Sequence, residues 1–141
     1  MTDPLDQALD EIEGSGTLVV DEASGRTTVD VIDVDRLGVK VREIRVGRGI
    51  RDIATEAASL PARLRAIPAR VVPCEVDPKL GGAVLRTAPE HMRRGRFFEV
   101  DVLPEETGIR RYRVRDGERI QEDFTVTRDQ LREFIDEVRE E

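Results

Sequence analysis

The densest group of ligand-capable residues is Gly47-Arg48-Gly49-Ile50-Arg51-Asp52, placed where the apolar spacing changes from a strand to a helix. Exposed N–H groups at a helix start attract anions, two glycines permit close approach, and Arg48 and Arg51 add positive charge. Arg42 and Arg45, on the strand leading in, extend that field. The chemistry expected of Arg42, Arg45, Gly47, Arg48, Gly49 and Arg51 is binding of a phosphate or carboxylate. A dinucleotide fingerprint is excluded, because the preceding strands read as an antiparallel hairpin and Asp52 stands where Gly or Ala is required. The plainer alternative is a turn whose glycines serve backbone geometry and whose arginines are solvated or pair with Asp52 and Glu56.

A second group is the arginine run of residues 110–115 with Phe97, Phe98 and Tyr112 nearby. Cations alternating with rings suit single-stranded nucleic acid, and the four strands and helix expected over residues 83–139 resemble the topology of Pur-type nucleic-acid binders. The competing account is a hairpin with Leu103 opposite Ile109. That register pairs Val100 with Tyr112 and Phe98 with Val114 on the core face, and Asp101 with Arg111 and Glu99 with Arg113 on the other. Cross-strand ion pairs then explain the arginines, and nucleic acid becomes the least favoured partner.

Nucleophilic chemistry finds little support. His91 is the only histidine and falls in an expected loop; Cys74 is the only cysteine and reads as a small buried residue of a strand. Ser15, Ser24 and Ser59 occupy no G-x-S-x-G elbow. Acidic neighbours such as Asp33 with Asp35 and Glu105 with Glu106 read as solvated surface. No catalytic residue, metal site or cofactor is expected.

Charge divides the chain. Net charge is −7, but residues 1–35 carry −9, residues 36–98 carry +8 and residues 99–141 carry −6. Acidic ends repel nucleic acid and anionic membrane, whereas the middle attracts anions. The start, Met1-Thr2-Asp3-Pro4, lacks a signal-peptide pattern, and no apolar run approaches the ~20 residues of a spanning helix. A cytoplasmic protein with no membrane contact is expected.

These groups must be positioned by a core of Val, Ile, Leu and Ala, since Trp is absent and aromatics make up 4%. The 141 residues suit one domain, 1–141. Asp3 and Pro4 start a helix with Leu5, Ala8, Leu9 and Ile12 on one stripe, stopped by Gly14. Strands follow at residues 17–20 and in a long hairpin over 27–46, turning at Asp35-Arg36-Leu37-Gly38 with Gly38 able to take φ > 0. In its simplest register Val34 faces Val39 and Ile32 faces Val41, whereas Val29 faces Ile44 and Thr27 faces Val46 on the other side. The apolar face thus switches midway, which predicts a coiled hairpin whose tip covers a second helix or a partner subunit.

Ile50, Ile53, Ala54 and Ala57 begin a helix that Pro61 kinks or restarts and that Leu60, Leu64 and Ile67 extend. Residues 69–76, flanked and interrupted by proline, make an edge strand at best. A short strand at 83–86, a loop over 87–95, the 96–115 hairpin, an Asp116-Gly117 turn and a strand at 119–126 come next. Thr127 and Gln130 form a capping box for the last helix, with Val126 and Leu131 as its staple.

The expected fold is α+β: a mostly antiparallel twisted sheet of about six to eight strands packed on helices, in the order α-βββ-α-βββββ-α. The leading functional expectation is a non-enzymatic protein-interaction or adaptor domain, homodimeric through the hairpin tip or an edge strand. Its small acidic size and layout resemble the secretion chaperones that escort effector proteins. The alternatives are a small-anion sensor or enzyme using residues 47–52, and a single-stranded nucleic-acid binder.

Overall fold

The computed structural model describes residues 3–67, 70–77, 79 and 81–140; Pro68, Ala69 and Leu80, which the sequence places at the start of a strand and in a turn, lie outside them. The chain forms α1 (Pro4–Glu11), β1 (Gly16–Glu22), β2 (Gly25–Val34), β3 (Gly38–Gly47), α2 (Ile53–Arg63), β4 (Val71–Asp77) and β5 (Gly82–Thr87). After a 3₁₀ turn (Pro89–His91) come β6 (Arg96–Val102), β7 (Glu106–Arg115), β8 (Glu118–Glu122), β9 (Phe124–Thr127) and α3 (Arg128–Arg139). Among the described residues nine strands join one antiparallel sheet, ordered β1-β2-β3-β7-β6-β5-β4, with β8 beside β7 and β9 beside β3. This is the expected α+β fold, with the last expected strand divided at Asp123.

That division follows from a fork in the sheet. β3 pairs with β7 only through Glu43–Gly47, then with β9 through Gly38–Val41, while β7 continues onto β8. The β8–β9 segment fills the opening between β3 and β7. Gln121 Nε2 donates to the Arg42 carbonyl at 3.2 Å and Arg42 pairs with Asp123 at 3.4 Å, which ties the segment to β3.

The β2–β3 hairpin has the expected pairs at both ends, Val34 with Val39 and Val29 with Ile44, but not in the middle. Val31, not Ile32, faces Val41, because Ile32 is an extra residue in β2 and Arg42 an extra residue in β3. Two compensating bulges let each strand put two residues outward in succession, so the apolar face does not switch. Val29, Val31, Val39, Val41, Ile44 and Val46 all enter one core. The expected two-faced hairpin is therefore corrected, and its tip packs under α3 and β9 of its own chain. Its turn is made by Asp35, whose Oδ1 accepts from the N–H groups of Leu37 and Gly38, and Gly38 does not take positive φ.

Three helices share that core. Leu5 and Leu9 of α1, Ala57 and Leu60 of α2, and Leu131 and Ile135 of α3 close over the sheet. Asp3 caps α1 through the Leu5 N–H, and α3 has the full Thr127–Gln130 capping box. α2 starts at Ile53, capped by Asp52, and runs through Pro61 to Arg63. Ile50 and Ala54, expected on its buried stripe, are exposed. β4 is the edge strand expected, with Pro73 in it and a bulge at Cys74. Cys74 itself is exposed, which corrects its expected burial: the bulge turns it out of the ladder. No helix among the described residues is long and apolar enough to cross a membrane.

Candidate anion-binding cleft

Two arginine-rich regions stand out, and the first contains the residues singled out in the sequence. Arg48 is buried, its side chain only 1% exposed. Its guanidinium donates to the carbonyls of Leu103 (2.6 Å) and Pro104 (2.8 Å) and to Thr107 Oγ1 (3.2 Å). Its own N–H donates to the Glu105 carbonyl. Arg51 donates to Glu56 (2.8 Å) and to the Val138 and Arg139 carbonyls, and Arg63 joins it on Glu56 and Val138. Burial alone would push the Glu56 carboxyl up, but hydrogen bonds from Arg51 and Arg63 outweigh it and hold the group below the usual glutamate range. Desolvation pulls Arg48 down from the usual arginine range.

Three guanidinium groups around one buried carboxylate clamp the β6–β7 turn, the start of α2 and the C-terminal carbonyls of α3 to one another. Gly47 belongs to the same junction: a Cβ there would lie 2.8 Å from the Arg26 carbonyl, and its own carbonyl accepts from Arg139 Nε at 3.0 Å. Gly49 has open space around it. Arg45 pairs with Glu106 at 2.8 Å on the open face of the sheet, and Arg42 with Asp123 at the fork.

The clamp sets the register of the next hairpin. With Arg48 holding the carbonyls of Leu103 and Pro104, the turn closes tightly through Leu103 N–H to the Glu106 carbonyl. Val100 then faces Ile109 and Phe98 faces Arg111, three residues away from the register expected from local pairing. The slip is odd, so β7 turns over. Tyr112 leaves the core face and stacks on Phe97 (5.7 Å between ring centres) beneath Arg119. Arg111 and Arg113 move to the helix side, where both meet Glu122 rather than Asp101 and Glu99. Glu99 instead receives Arg86 and Arg119, and Asp101 receives Arg110.

Arg111 thereby lands on the wall of a cleft of about 500 Å³ between the β6–β7 end of the sheet, β9 and the start of α3. Arg93, Arg94, Arg96 and Arg111 line it, with His91, Thr87, Thr125 and Gln130, and no carboxylate does among the described residues. Phe98 and Phe124, edge to face at 5.3 Å, form its apolar floor, and Arg111 lies 5.9 Å from the Phe98 ring. Glu122 sits behind the wall and takes Arg96 (3.1 Å), Arg111 (3.5 Å) and Arg113 (3.3 Å), one carboxylate for three cations. Arg93 and Arg94 are exposed and have no carboxylate partner among the described residues. His91 Nδ1 accepts the Arg70 N–H at 3.3 Å, which places its proton on Nε2 in the neutral ring.

The rim is held by an unusual turn. Arg94 (φ 53°) and Gly95 (φ 71°) both take left-handed backbone, and the Arg96 N–H closes the turn on the Arg93 carbonyl. The β7–β8 turn has the same form with Asp116 (φ 52°) and Gly117 (φ 76°), the residue types that conformation favours. An arginine there is strained, and such strain collects at functional sites.

Of the residues expected to bind an anion, Arg42, Arg45, Gly47, Arg48, Gly49 and Arg51, none lines this cleft. Arg93, Arg94, Arg96 and Arg111 were not assigned such a role from the sequence. The signal available was Arg94-Gly95, a dipeptide set where Asn-Gly or Asp-Gly is usual. Among the described residues no group of three or more His, Cys, Asp or Glu converges as a metal site. No family model, no curated protein and no solved structure matches the chain.

Proposed function

We propose that this domain binds a small anion, phosphate or carboxylate, in the Arg93–Arg94–Arg96–Arg111 cleft, as a ligand-sensing or ligand-presenting module. The observation that supports the reading is the charge imbalance: four arginines line an open cavity with no carboxylate on its walls among the described residues, and Glu122 behind them already serves three cations. Crowded like charges in a cleft raise the local concentration of a counter-ion and are relieved by binding it. Among the described residues the cleft holds no nucleophile–base pair, so binding rather than turnover is the function it suits.

Titration calorimetry with inorganic phosphate, pyrophosphate and acetate tests this. Binding of at least one anion is expected, weakened about tenfold or more in the Arg93→Ala/Arg94→Ala double variant. These side chains are exposed, so the variant should fold as the parent does. Binding that survives there and is lost instead in Arg42→Ala/Arg45→Ala would move the site to the strand leading into the 47–52 turn. No binding by any anion overturns the reading.

A second reading rests on the sheet edges. β4 is guarded by Pro73 and the Cys74 bulge, whereas β1 pairs only with β2 and contains neither proline nor bulge. Two copies meeting antiparallel along β1, centred on Val19 (50% exposed), would place Leu18 opposite Val20 and prolong the apolar face. Light scattering is expected to show a dimer that Val19→Pro converts to monomer; a monomer at high concentration overturns it.

A further inference from the structure

The cleft changes character with depth, and this bears on what kind of anion it takes. Arg93 and Arg94 stand exposed, whereas Ala66, Phe98, Phe124 and Val126 line the wall shared with a second, smaller hole of about 20 Å³. Ile44, Ile109, Leu131 and Phe134 enclose that hole on the far side, and Gln130 is its only polar neighbour among the described residues. A hole of this size and lining offers a water too few partners. It adjoins the cationic cleft, with which it shares Ala66, Phe98, Phe124, Val126 and Gln130.

Volume points the same way. At about 500 Å³ the cleft is in the range that holds an organic molecule, far more than an inorganic ion needs. Gln130 uses its Oε1 to accept the Thr127 N–H in the capping box, while its Nε2 donates to no other described residue. It is a second polar contact at the throat, fixed in place by the helix cap.

Resting on the anion-binding reading, we propose that the ligand is an organic acid with two unlike ends. Its phosphate or carboxylate meets Arg93, Arg94 and Arg111, and a ring or short alkyl group lies on Phe98 and Phe124 with its tip at the Ala66–Val126 throat. The arginines select the charge. The throat selects against bare inorganic anions, because only a ligand with an apolar end removes the half-exposed ring of Phe98 from water.

The experiment is a calorimetric comparison of inorganic phosphate, phenyl phosphate, butyl phosphate and phenol on the intact chain. Phenyl or butyl phosphate is expected to bind about tenfold more tightly than inorganic phosphate, with the better of the two separating a ring from a chain, and phenol to bind far more weakly. Ala66→Leu should fill the throat and remove the advantage of the organic phosphate while leaving inorganic phosphate unchanged. Where that variant fails to fold, Ala66→Val tests the same point with less added volume. Equal affinity for inorganic and organic phosphates overturns the two-ended ligand and leaves the anion site standing. No binding by any phosphate overturns both, and phenol binding as tightly as phenyl phosphate overturns the role of the arginines.

Discussion

The clamp around Glu56 and the cleft around Arg111 use the same side chain for opposite ends. In the clamp, Arg48, Arg51 and Arg63 share one buried carboxylate, and the donors left over reach backbone carbonyls of two separate segments, the β6–β7 turn and the end of α3. Arg96 and Arg111 of the cleft also share one carboxylate, Glu122, with Arg113, but Arg93 and Arg94 have none among the described residues. In the clamp the donors are met by carbonyls and Glu56, and the cavity of about 330 Å³ that Arg51 and Arg63 line also carries Asp52, Glu56 and Glu140. A guanidinium lining a cavity without acid keeps unmet positive charge. Counting arginines in sequence cannot separate the two cases, because what differs is the supply of acceptors. The regions are also linked: Arg48 fixes the β6–β7 turn, and that turn decides that Arg111 faces the cleft.

The largest expected effect comes from breaking the clamp. Glu56→Ala leaves three buried or half-buried guanidinium groups without their carboxylate and should cost about 3–5 kcal/mol of stability, read from urea unfolding at pH 7. Acid should produce a milder form of the same loss. The folded Glu56 carboxyl lies below its ordinary value of 4.5, so its stabilisation is complete above about pH 4.5 and disappears as pH falls through the lower, folded value. Glu56→Gln should flatten that part of the pH profile. A profile unchanged by the substitution would mean that the clamp is not held by this ion pairing, and the contrast between the regions would fail.

Local pattern carried the first and last helices with their caps, the presence of the middle helix, the edge position of β4 and both ends of the β2–β3 hairpin. What it missed shares one physical cause. The compensating bulges at Ile32 and Arg42, the fork at Asp123 and the three-residue slip in β6–β7 are all fixed by contacts between distant parts of the chain. Leu103 opposite Ile109 is a sound local pairing; it loses because Arg48, far earlier in the chain, binds the carbonyls that a tighter turn presents. The slip then moved Arg111 from the open face to the helix side and Tyr112 the other way. So the cleft was illegible for a definite reason: one wrong register put its key side chain on the wrong face. The 47–52 turn was visible as a chemical cluster, and the choice between anion and Glu56 as the partner of its arginines needed the third dimension.

The smallest expected effect gives the sharpest comparison, because it predicts two changes of opposite sign. Arg94 and Asp116 occupy equivalent left-handed positions in turns of the same form, each followed by glycine. A non-glycine residue there is disfavoured by about 1–2 kcal/mol, and Asn or Asp recovers part of that through its short polar side chain. Arg94→Asn should therefore stabilise the fold, by about 0.5–1 kcal/mol in urea unfolding, while weakening anion binding in the calorimetric titration. Asp116→Asn, made in the ordinary turn, should change neither beyond a few tenths of a kcal/mol. If Arg94→Asn stabilises and binding is untouched, the arginine is an unfavourable turn residue with no part in the cleft. If stability falls, its side chain has a structural contact that the turn geometry conceals. Only the paired outcome, a firmer turn and a weaker site, makes the strain at the rim a feature kept for the ligand.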